Sequence, residues 1–319
     1  MEQRVADLGK GVYIIDLNDL NQWGRTGAYV LTGGDITIIE TSASPSIPFL
    51  KQGLNELGIG LEDVKNIIVT HIHLDHAGGT GLFLQNCPNA TVYVHPRGKR
   101  HLADPERLIK GAKAVYGDDF DRLFDPIVPI DEQRLISKND GETLDIGNGR
   151  TLTFYDTPGH AKHHFSIHDS LSNGIFTGDT IGVCYPQLLK KGLELYLPST
   201  SPSQFNEEDM LRSAERFQAL KPERIYFGHY SMTENPQNVF QQIAYWLPQF
   251  MELGKRVMTE NPEIDFPGKT NLLSEKMLEL VTDEIAQKEV SIQSEVLRLL
   301  KLDMDVSAMG IIERLSKAQ

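Results

Sequence analysis

The stretch Thr70-His71-Ile72-His73-Leu74-Asp75-His76-Ala77-Gly78-Gly79 decides how the rest of the chain is read. Three histidines and an aspartate fall within six residues. The run just before them, Asn66-Ile67-Ile68-Val69-Thr70, is apolar and β-branched and reads as a buried strand. Two glycines and an apolar stretch that can open a helix come just after. The cluster therefore belongs to a loop at the C-terminal end of a strand. Imidazole nitrogens and a carboxylate oxygen suit a borderline divalent metal such as zinc. The alternation in His71-Ile72-His73 lets two side chains converge on one ion. Asp75 and His76, further round the turn, can face a second. A lone histidine is usually a surface group, but four ligand-type residues directly after a strand are a different signal.

Three later residues stand in the same context. Thr157-Pro158-Gly159-His160 follows the strand-like run from Thr151 to Asp156. Phe176-Thr177-Gly178-Asp179 follows a turn at Ser172-Asn173-Gly174. Ile225-Tyr226-Phe227-Gly228-His229 ends another short apolar run. Each stands at the end of a strand, where α/β scaffolds present their chemistry.

Taken together, His71-x-His73-x-Asp75-His76 and these three motifs resemble the metallo-β-lactamase superfamily, most closely its glyoxalase-II-like members, from about residue 10 to residue 235. The resemblance implies an α/β fold, a four-layer αββα sandwich with a C-terminal helical extension. Carried over position by position, it implies that His71, His73 and His160 bind a first metal and Asp75, His76 and His229 a second. Asp179 bridges both, and Asp75 is marked as the catalytic residue. Two divalent metal ions per chain are implied, with zinc expected and manganese or iron(II) as the other candidates. Three imidazoles leave a tetrahedral zinc one open position. A second ion ~3.5–4 Å away can share its water as a hydroxide, because metal binding lowers the water's pKa towards ~7. The activity implied is hydrolysis of a small thioester, ester or lactone by a metal-bridging hydroxide. The alternative on the same fold is a non-haem iron oxidoreductase similar to the persulfide dioxygenases, which keep the histidine motif. Flavin-linked diiron relatives usually have Glu where His73 stands and a fused flavodoxin domain, and neither holds here. A non-catalytic module is disfavoured because every ligand position is filled. Acyl-homoserine-lactone hydrolases have a tyrosine close after the bridging aspartate. Thr180-Ile181-Gly182-Val183, with Tyr185 slightly later, matches that poorly. Glu40 departs from the Asp usual at its strand end, and its longer side chain is expected to orient a metal ligand.

Composition narrows the partners. A formal charge of −13 over 319 residues makes a nucleic-acid backbone a poor partner, leaving a small-molecule substrate. The two cysteines, Cys87 and Cys184, cannot form a disulfide framework and read as reduced thiols of a cytoplasmic protein. The N-terminus lacks the apolar region of a signal peptide. No apolar run approaches the ~20 residues that span a membrane, so no membrane partner is expected.

The remaining chain is read around the motifs. Val12–Ile15, Ala28–Thr32 and Ile36–Glu40 predict a β-meander, and Phe49, Leu50, Leu54 and Leu57 give a helix one apolar face that Gly58 ends. Residues 97–145 form an insertion, with a helical stretch near Pro105–Val115 and acidic turns at 117–121, that either shapes the pocket mouth or is a solvated connection. Residues 180–202 read as a long irregular loop lining the substrate entrance, with Tyr185 and Tyr196 as its contacts. Asn206 or Ser203 caps a helix with an acidic first turn. A helix near Gln237–Val257 closes a catalytic domain, 1–258, and Pro262 and Pro267-Gly268 read as a linker. Residues 259–319 then form a helical extension, its apolar face too small for a core of its own. That face is expected to pack over the pocket side or against a second subunit of a homodimer. Among the other histidines, His164 is expected beside the ligands, His168 on a sheet, and His95 and His101 in structural or surface roles.

Overall fold

The alternating apolar runs become two sheets in a computed structural model, which describes residues 4–317. Contacts divide the described chain into two compact units. The first holds the described residues up to Asp156, His163–Gly178 and Pro222–Glu234; the second holds Thr157–Lys162, Asp179–Lys221 and the described residues from Asn235 onward.

In the first unit, β1 (Val5–Asp7), β2 (Val12–Asp16), β3 (Gly27–Leu31) and β4 (Ile36–Ile39) form an antiparallel meander. It continues into parallel β5 (Val64–Ile68), β6 (Thr91–Val94) and β7 (Leu135–Ser137). The parallel half needs crossovers. One is α1 (Ile47–Glu56), which lays Ile47, Leu50 and Leu54 against Ile15, Val30, Ile38 and Ile67. The motif loop itself carries two short helices, α2 (Leu74–Ala77) and α3 (Thr80–Leu84), and Phe83 of α3 joins the same layer. The insertion is more regular than the sequence suggested. It holds α4 (Pro96–Ala103), α5 (Glu106–Tyr116) and α6 (Phe120–Phe124). The acidic turn at 117–121 becomes a 3₁₀ turn leading into α6, because Phe120 and Phe124 bury against Ala43 and Leu74.

The second sheet also lies in the first unit. It is built from β8 (Thr143–Asp145), β9 (Thr151–Asp156), β10 (Phe165–Asp169), β11 (Gly174–Phe176), β14 (Arg224–Tyr226) and β15 (Met232–Thr233), in the order β15-β14-β11-β10-β9-β8. The pair β11–β14 is parallel and the others antiparallel. The two sheets share one core. Val12, Ile14, Tyr29, Leu31, Ile39 and Ile68 of the first meet Leu152, Phe154, Phe165, Ile167, Phe176 and Tyr226 of the second. Phe176 and Tyr226 stack at 4.4 Å, and Tyr29 meets the Phe176 ring edge-on at 5.1 Å. Arg150 ties the sandwich electrostatically. It is 1% exposed, bonds both carboxylate oxygens of Asp169 at 2.8 Å, and donates to the carbonyls of Gly11 and Thr32.

The second unit is mainly helical. A two-stranded hairpin, β12 (Val183–Cys184) with β13 (Tyr196–Leu197), encloses α7 (Pro186–Leu189), and α8 (Glu207–Leu220), α9 (Pro236–Glu260), α10 (Phe266–Gln287) and α11 (Ser294–Lys317) follow. One core joins Tyr185, Leu188 and Leu197 to Phe250 of α9, Met277 and Val281 of α10, and Leu300, Met304 and Ile311 of α11. Of the two candidate caps for α8, Asn206 takes the role, its side chain accepting from Asp209 N–H at 3.0 Å. Two expectations change here. Pro267-Gly268 lies in the first turn of α10 and not in a linker: a proline there forfeits no helical hydrogen bond, and the Asp265 side chain caps the Gly268 N–H at 2.9 Å. Tyr185 and Tyr196 are 2% and 0% exposed, so they do not face an open entrance. The hairpin packs them inward, and Tyr185 spends its hydroxyl on Asp303 at 2.8 Å.

The α/β architecture with two packed sheets and a C-terminal helical part agrees with the fold class expected from the motifs. Among the described residues, no helix is long and apolar enough to cross a membrane.

Candidate metal centre

The first unit gathers five of the expected ligands at the C-terminal end of β5. The Ile38↔Ile67 and Ile39↔Ile68 register sets Glu40 beside the residues that leave β5. His71 is fully buried, and its Nε2 lies 3.0 Å from His73 Nδ1. Two nitrogens on one tetrahedral zinc would stand about 3.3 Å apart at ordinary Zn–N lengths, so the spacing suits a shared ion. Thr70 Oγ1 holds the other ring nitrogen of His71 at 3.0 Å.

A second group forms from Asp75, His76 and His229, whose ligand atoms all lie within 4.8 Å of one another. Asp75 Oδ2 stands 3.7 Å from His76 Nε2 and 3.6 Å from His229 Nε2. Behind His76, Glu40 places Oε2 3.1 Å from Nδ1 and uses Oε1 to accept from Thr70 N–H at 2.8 Å. Glu40 is 1% exposed. A carboxylate can only accept, so the His76 proton sits on Nδ1 and the Nε2 lone pair faces Asp75. Glu40 thus orients the His76 ring, from a backbone φ of 70° that is uncommon outside glycine. The turn carrying His229 is held from below: the Tyr29 hydroxyl lies 2.6 Å and 2.7 Å from the carbonyls of Phe227 and Ser231.

Three groups around Asp75 went unread in the sequence. Asp19, buried, sits 3.2 Å from the Arg25 guanidinium and accepts from Thr26 Oγ1. Burial raises its carboxyl above the usual range, Arg25 opposes this, and Asp75 adds to it. Tyr116, the last residue of α5, has its hydroxyl pushed up first by burial and then by the charge of Asp75. The insertion therefore brings a phenol into the field of Asp75. Nothing in the spacing of Asp19, Arg25 or Tyr116 could have revealed this, because it arises from tertiary packing.

The second unit holds the other two expected ligands. His160 Nε2 and Asp179 Oδ2 are 3.7 Å apart, and both residues are 2% exposed. The loop carrying His160 is clasped by α8: Asn206 N–H donates to the Gly159 carbonyl at 2.8 Å, and Ser213 Oγ to the Pro158 carbonyl at 2.7 Å. Gly159, at φ 136°, has no room for a Cβ beside Met210. His160 Nδ1 lies 2.9 Å from the Ser199 carbonyl, which can only accept. The proton is therefore on Nδ1, and Nε2 again presents its lone pair.

The remaining histidines divide as follows. The buried His164 ring lies 5.0 Å from that of His71, and His163 stacks parallel to His71 at 6.3 Å and meets His73 edge-on. His168 stands on β10 and bonds Asn173. His95 caps α4, accepting from Arg97 N–H at 3.1 Å, which is the structural role expected. His101 lies beside Arg100, and partial burial with that cation lowers its pKa.

The donor sets fit divalent cations. Imidazoles whose second nitrogen is anchored on a carboxylate or a carbonyl are how proteins prepare metal ligands, and His76 and His160 both show it.

Compared with known proteins, the chain matches the family model described as Metallo-beta-lactamase superfamily over residues 22–229. It is 29% identical over 205 residues to the metallo-beta-lactamase fold-containing protein ST1585 of Sulfurisphaera tokodaii, covering 63% of this chain and 71% of that one. The crystal structure of ST1585 covers 95% of this chain and 98% of its own, with a TM-score of 0.66 at 22% identity, a likeness of fold. The N-acyl homoserine lactonase AttM of Rhizobium radiobacter is 29% identical over 178 residues, 55% of this chain and 62% of AttM. The atrochrysone carboxyl ACP thioesterase of Aspergillus fumigatus is 25% identical over 179 residues, 56% of this chain and 42% of that protein.

Proposed function

The chain belongs to the metallo-beta-lactamase superfamily, and from that premise we propose that it is a dinuclear metal-dependent hydrolase acting on a small thioester, ester or lactone. The observation that carries the reading is the convergence of Asp75, His76 and His229, with His76 anchored from behind by the buried Glu40. The order of the motifs assigns His71, His73 and His160 to one ion, Asp75, His76 and His229 to the other, and Asp179 to both. Zinc is the proposed ion, and the glyoxalase-II-like grouping rests on the same motif order. A divalent ion in such a ligand set supplies a Lewis acid and a water acidified towards neutrality.

The chain's own residues define the rest. Asp75 is the solvent-facing member of its group, with 27% of its side chain exposed, whereas His76 is fully buried. With Oδ2 turned to two imidazoles, its second oxygen is a place where a proton can be held and passed to a leaving thiol or alcohol. Glu40 and the Ser199 carbonyl keep protons on the outer nitrogens of His76 and His160, so neither ligand drifts to the wrong tautomer. The names lactonase and thioesterase among the relatives support an acyl-carbonyl substrate. The chain's charge of −13 supports a small molecule over a nucleic acid.

The test is elemental analysis of the purified full chain, followed by a panel of thioesters, lactones and phosphodiesters run beside an oxygen electrode. Two ions per chain with oxygen-independent turnover of an acyl substrate are expected. One iron per chain with oxygen uptake would overturn the reading in favour of a dioxygenase.

A further inference from the structure

We infer that the C-terminal helix α11 is a positioning element for the metal ligands His160 and Asp179, acting through the short segment Ser199-Thr200-Ser201. The inference rests on the metal-site reading above, and α11 itself lies outside the matched family region, since it begins at Ser294 and the match ends at residue 229.

The segment alternates its contacts. Ser199 and Ser201 turn to the ligands. The Ser199 carbonyl accepts from His160 Nδ1 at 2.9 Å, Ser199 Oγ donates to Asp179 Oδ2 at 3.3 Å, and Ser201 Oγ stands 3.5 Å from His160 Nε2. Thr200, between them, turns to α11. Its hydroxyl donates to the Ser307 carbonyl at 2.9 Å, and its N–H points to Ser307 Oγ at 3.4 Å. Thr200 is fully buried and Ser307 is 3% exposed. One turn further along α11, Gly310 lets the helix backbone meet this segment. A Cβ at 310 would overlap the Thr200 carbonyl oxygen and would crowd the Ser201 carbonyl carbon at 2.7 Å. Either the helix or the segment would then have to retreat. Arg314 to Glu207 at 2.9 Å and Lys317 to the Ser203 carbonyl at 3.1 Å fasten the end of α11 beside the same stretch.

The consequence for the ligands is direct. The Ser199 carbonyl keeps the proton on His160 Nδ1, and Ser199 Oγ occupies one lone pair of Asp179. A retreat of about an ångström at Thr200 would lengthen both contacts beyond hydrogen-bonding range. Ser307 and Gly310 act by fixing where Ser199 and Ser201 stand.

The experiment compares Gly310→Ala and Thr200→Val with a control, Gly254→Ala, in the full chain. The control also perturbs α11, because its methyl would meet the Ile311 and Leu315 side chains, but none of the atoms nearest that methyl belongs to the segment. Zinc affinity is measured by chelator competition, the visible spectrum is recorded with cobalt(II) bound, and the urea midpoint is taken on metal-free protein. Gly310→Ala and Thr200→Val are expected to weaken zinc binding ~10–100-fold, the range for losing a group that orients a ligand, and to alter the cobalt bands. Gly254→Ala is expected to lower the urea midpoint with zinc affinity and spectrum unchanged. Should Gly310→Ala not fold, Thr200→Val, which keeps the shape, carries the comparison. Metal affinity and spectra in both variants equal to those of the wild type would overturn the inference. Failure of the wild type to bind zinc or cobalt would overturn the metal-site reading itself.

Discussion

Replacing Glu40 by Gln asks whether a single buried carboxylate prepares His76 for metal. Both oxygens of Glu40 face donors, Thr70 N–H at 2.8 Å and His76 Nδ1 at 3.1 Å. Glutamine has the same shape but only one acceptor oxygen. If that oxygen stays on Thr70, the new amide N–H₂ faces His76, which must move its proton to Nε2, the nitrogen aimed at Asp75. If the oxygen turns to His76, two donors confront each other at Thr70 in a site that is 1% exposed. Either way one charge-assisted hydrogen bond is lost, ~1.5–3 kcal/mol. That range corresponds to ~10–150-fold in affinity at ~1.4 kcal/mol per decade, consistent with the ~10–100-fold typical for groups behind metal ligands. The backbone φ of 70° is common to both proteins and cancels. Glu40→Gln is therefore expected to weaken zinc binding at least tenfold in chelator competition. The metal-free protein should lose less, because removing a buried charge also removes its desolvation penalty. Zinc affinity within twofold of the wild type would refute the reasoning, as would a loss confined to the urea midpoint of the metal-free protein.

Other outcomes follow from the same geometry. Asp179→Asn should lower metal content and remove most activity with the sheets intact, and His229→Ala should empty one site while His71→Ala empties the other; elemental analysis with circular dichroism checks each. Arg150→Ala strands the buried Asp169 carboxylate and should cost ~3–5 kcal/mol of stability, read from urea unfolding, whereas equal midpoints would show that the pair contributes nothing. Burial pushes the Cys87 thiol from 9.0 up to about 11, with Arg134 and Lys51 opposing. The unfolded chain therefore ionises first, and the Cys87 contribution to stability is lost as pH rises from 9.0 towards 11. Wild type should fall more steeply than Cys87→Ala across that window, and parallel pH profiles would contradict this.

What could be read in the sequence was what is local. His71, His73, Asp75 and His76 share one loop, so their spacing alone brings them together, and the β-branched run before them names the strand that presents them. Much of the strand and helix placement around the motifs followed for the same reason, as did the α8 cap, where Asn206 meets Asp209 three residues away. Residues that act at a distance were harder. Glu40 lies 36 positions from His76, and Thr200 lies 107 from Ser307. Tyr185 and Tyr196 show why composition misleads: a tyrosine has a polar tip and an apolar body, and only packing decides which one faces water. Pro267 is similarly two-faced, since the same residue breaks a helix interior and starts a helix.

The two anchored histidines make a sharper point about what the fold adds to the motif. His76 and His160 are the same side chain, each protonated on Nδ1 and offering Nε2. Their partners differ in charge. Glu40 is a buried carboxylate, and if Nε2 held a cation the Nδ1–H would grow more acidic and its bond to a carboxylate would strengthen. The Ser199 carbonyl is neutral and would respond less, so under the proposed assignment His160 would be the weaker-backed ligand of the two. The extra support for His160 is positional: the segment that holds it is itself held by Thr200 on Ser307 and by the absence of a side chain at Gly310. A motif specifies which atoms can bind. On the proposed assignment, how strongly each binds would depend on a charge behind one histidine and on a helix more than a hundred residues away behind the other.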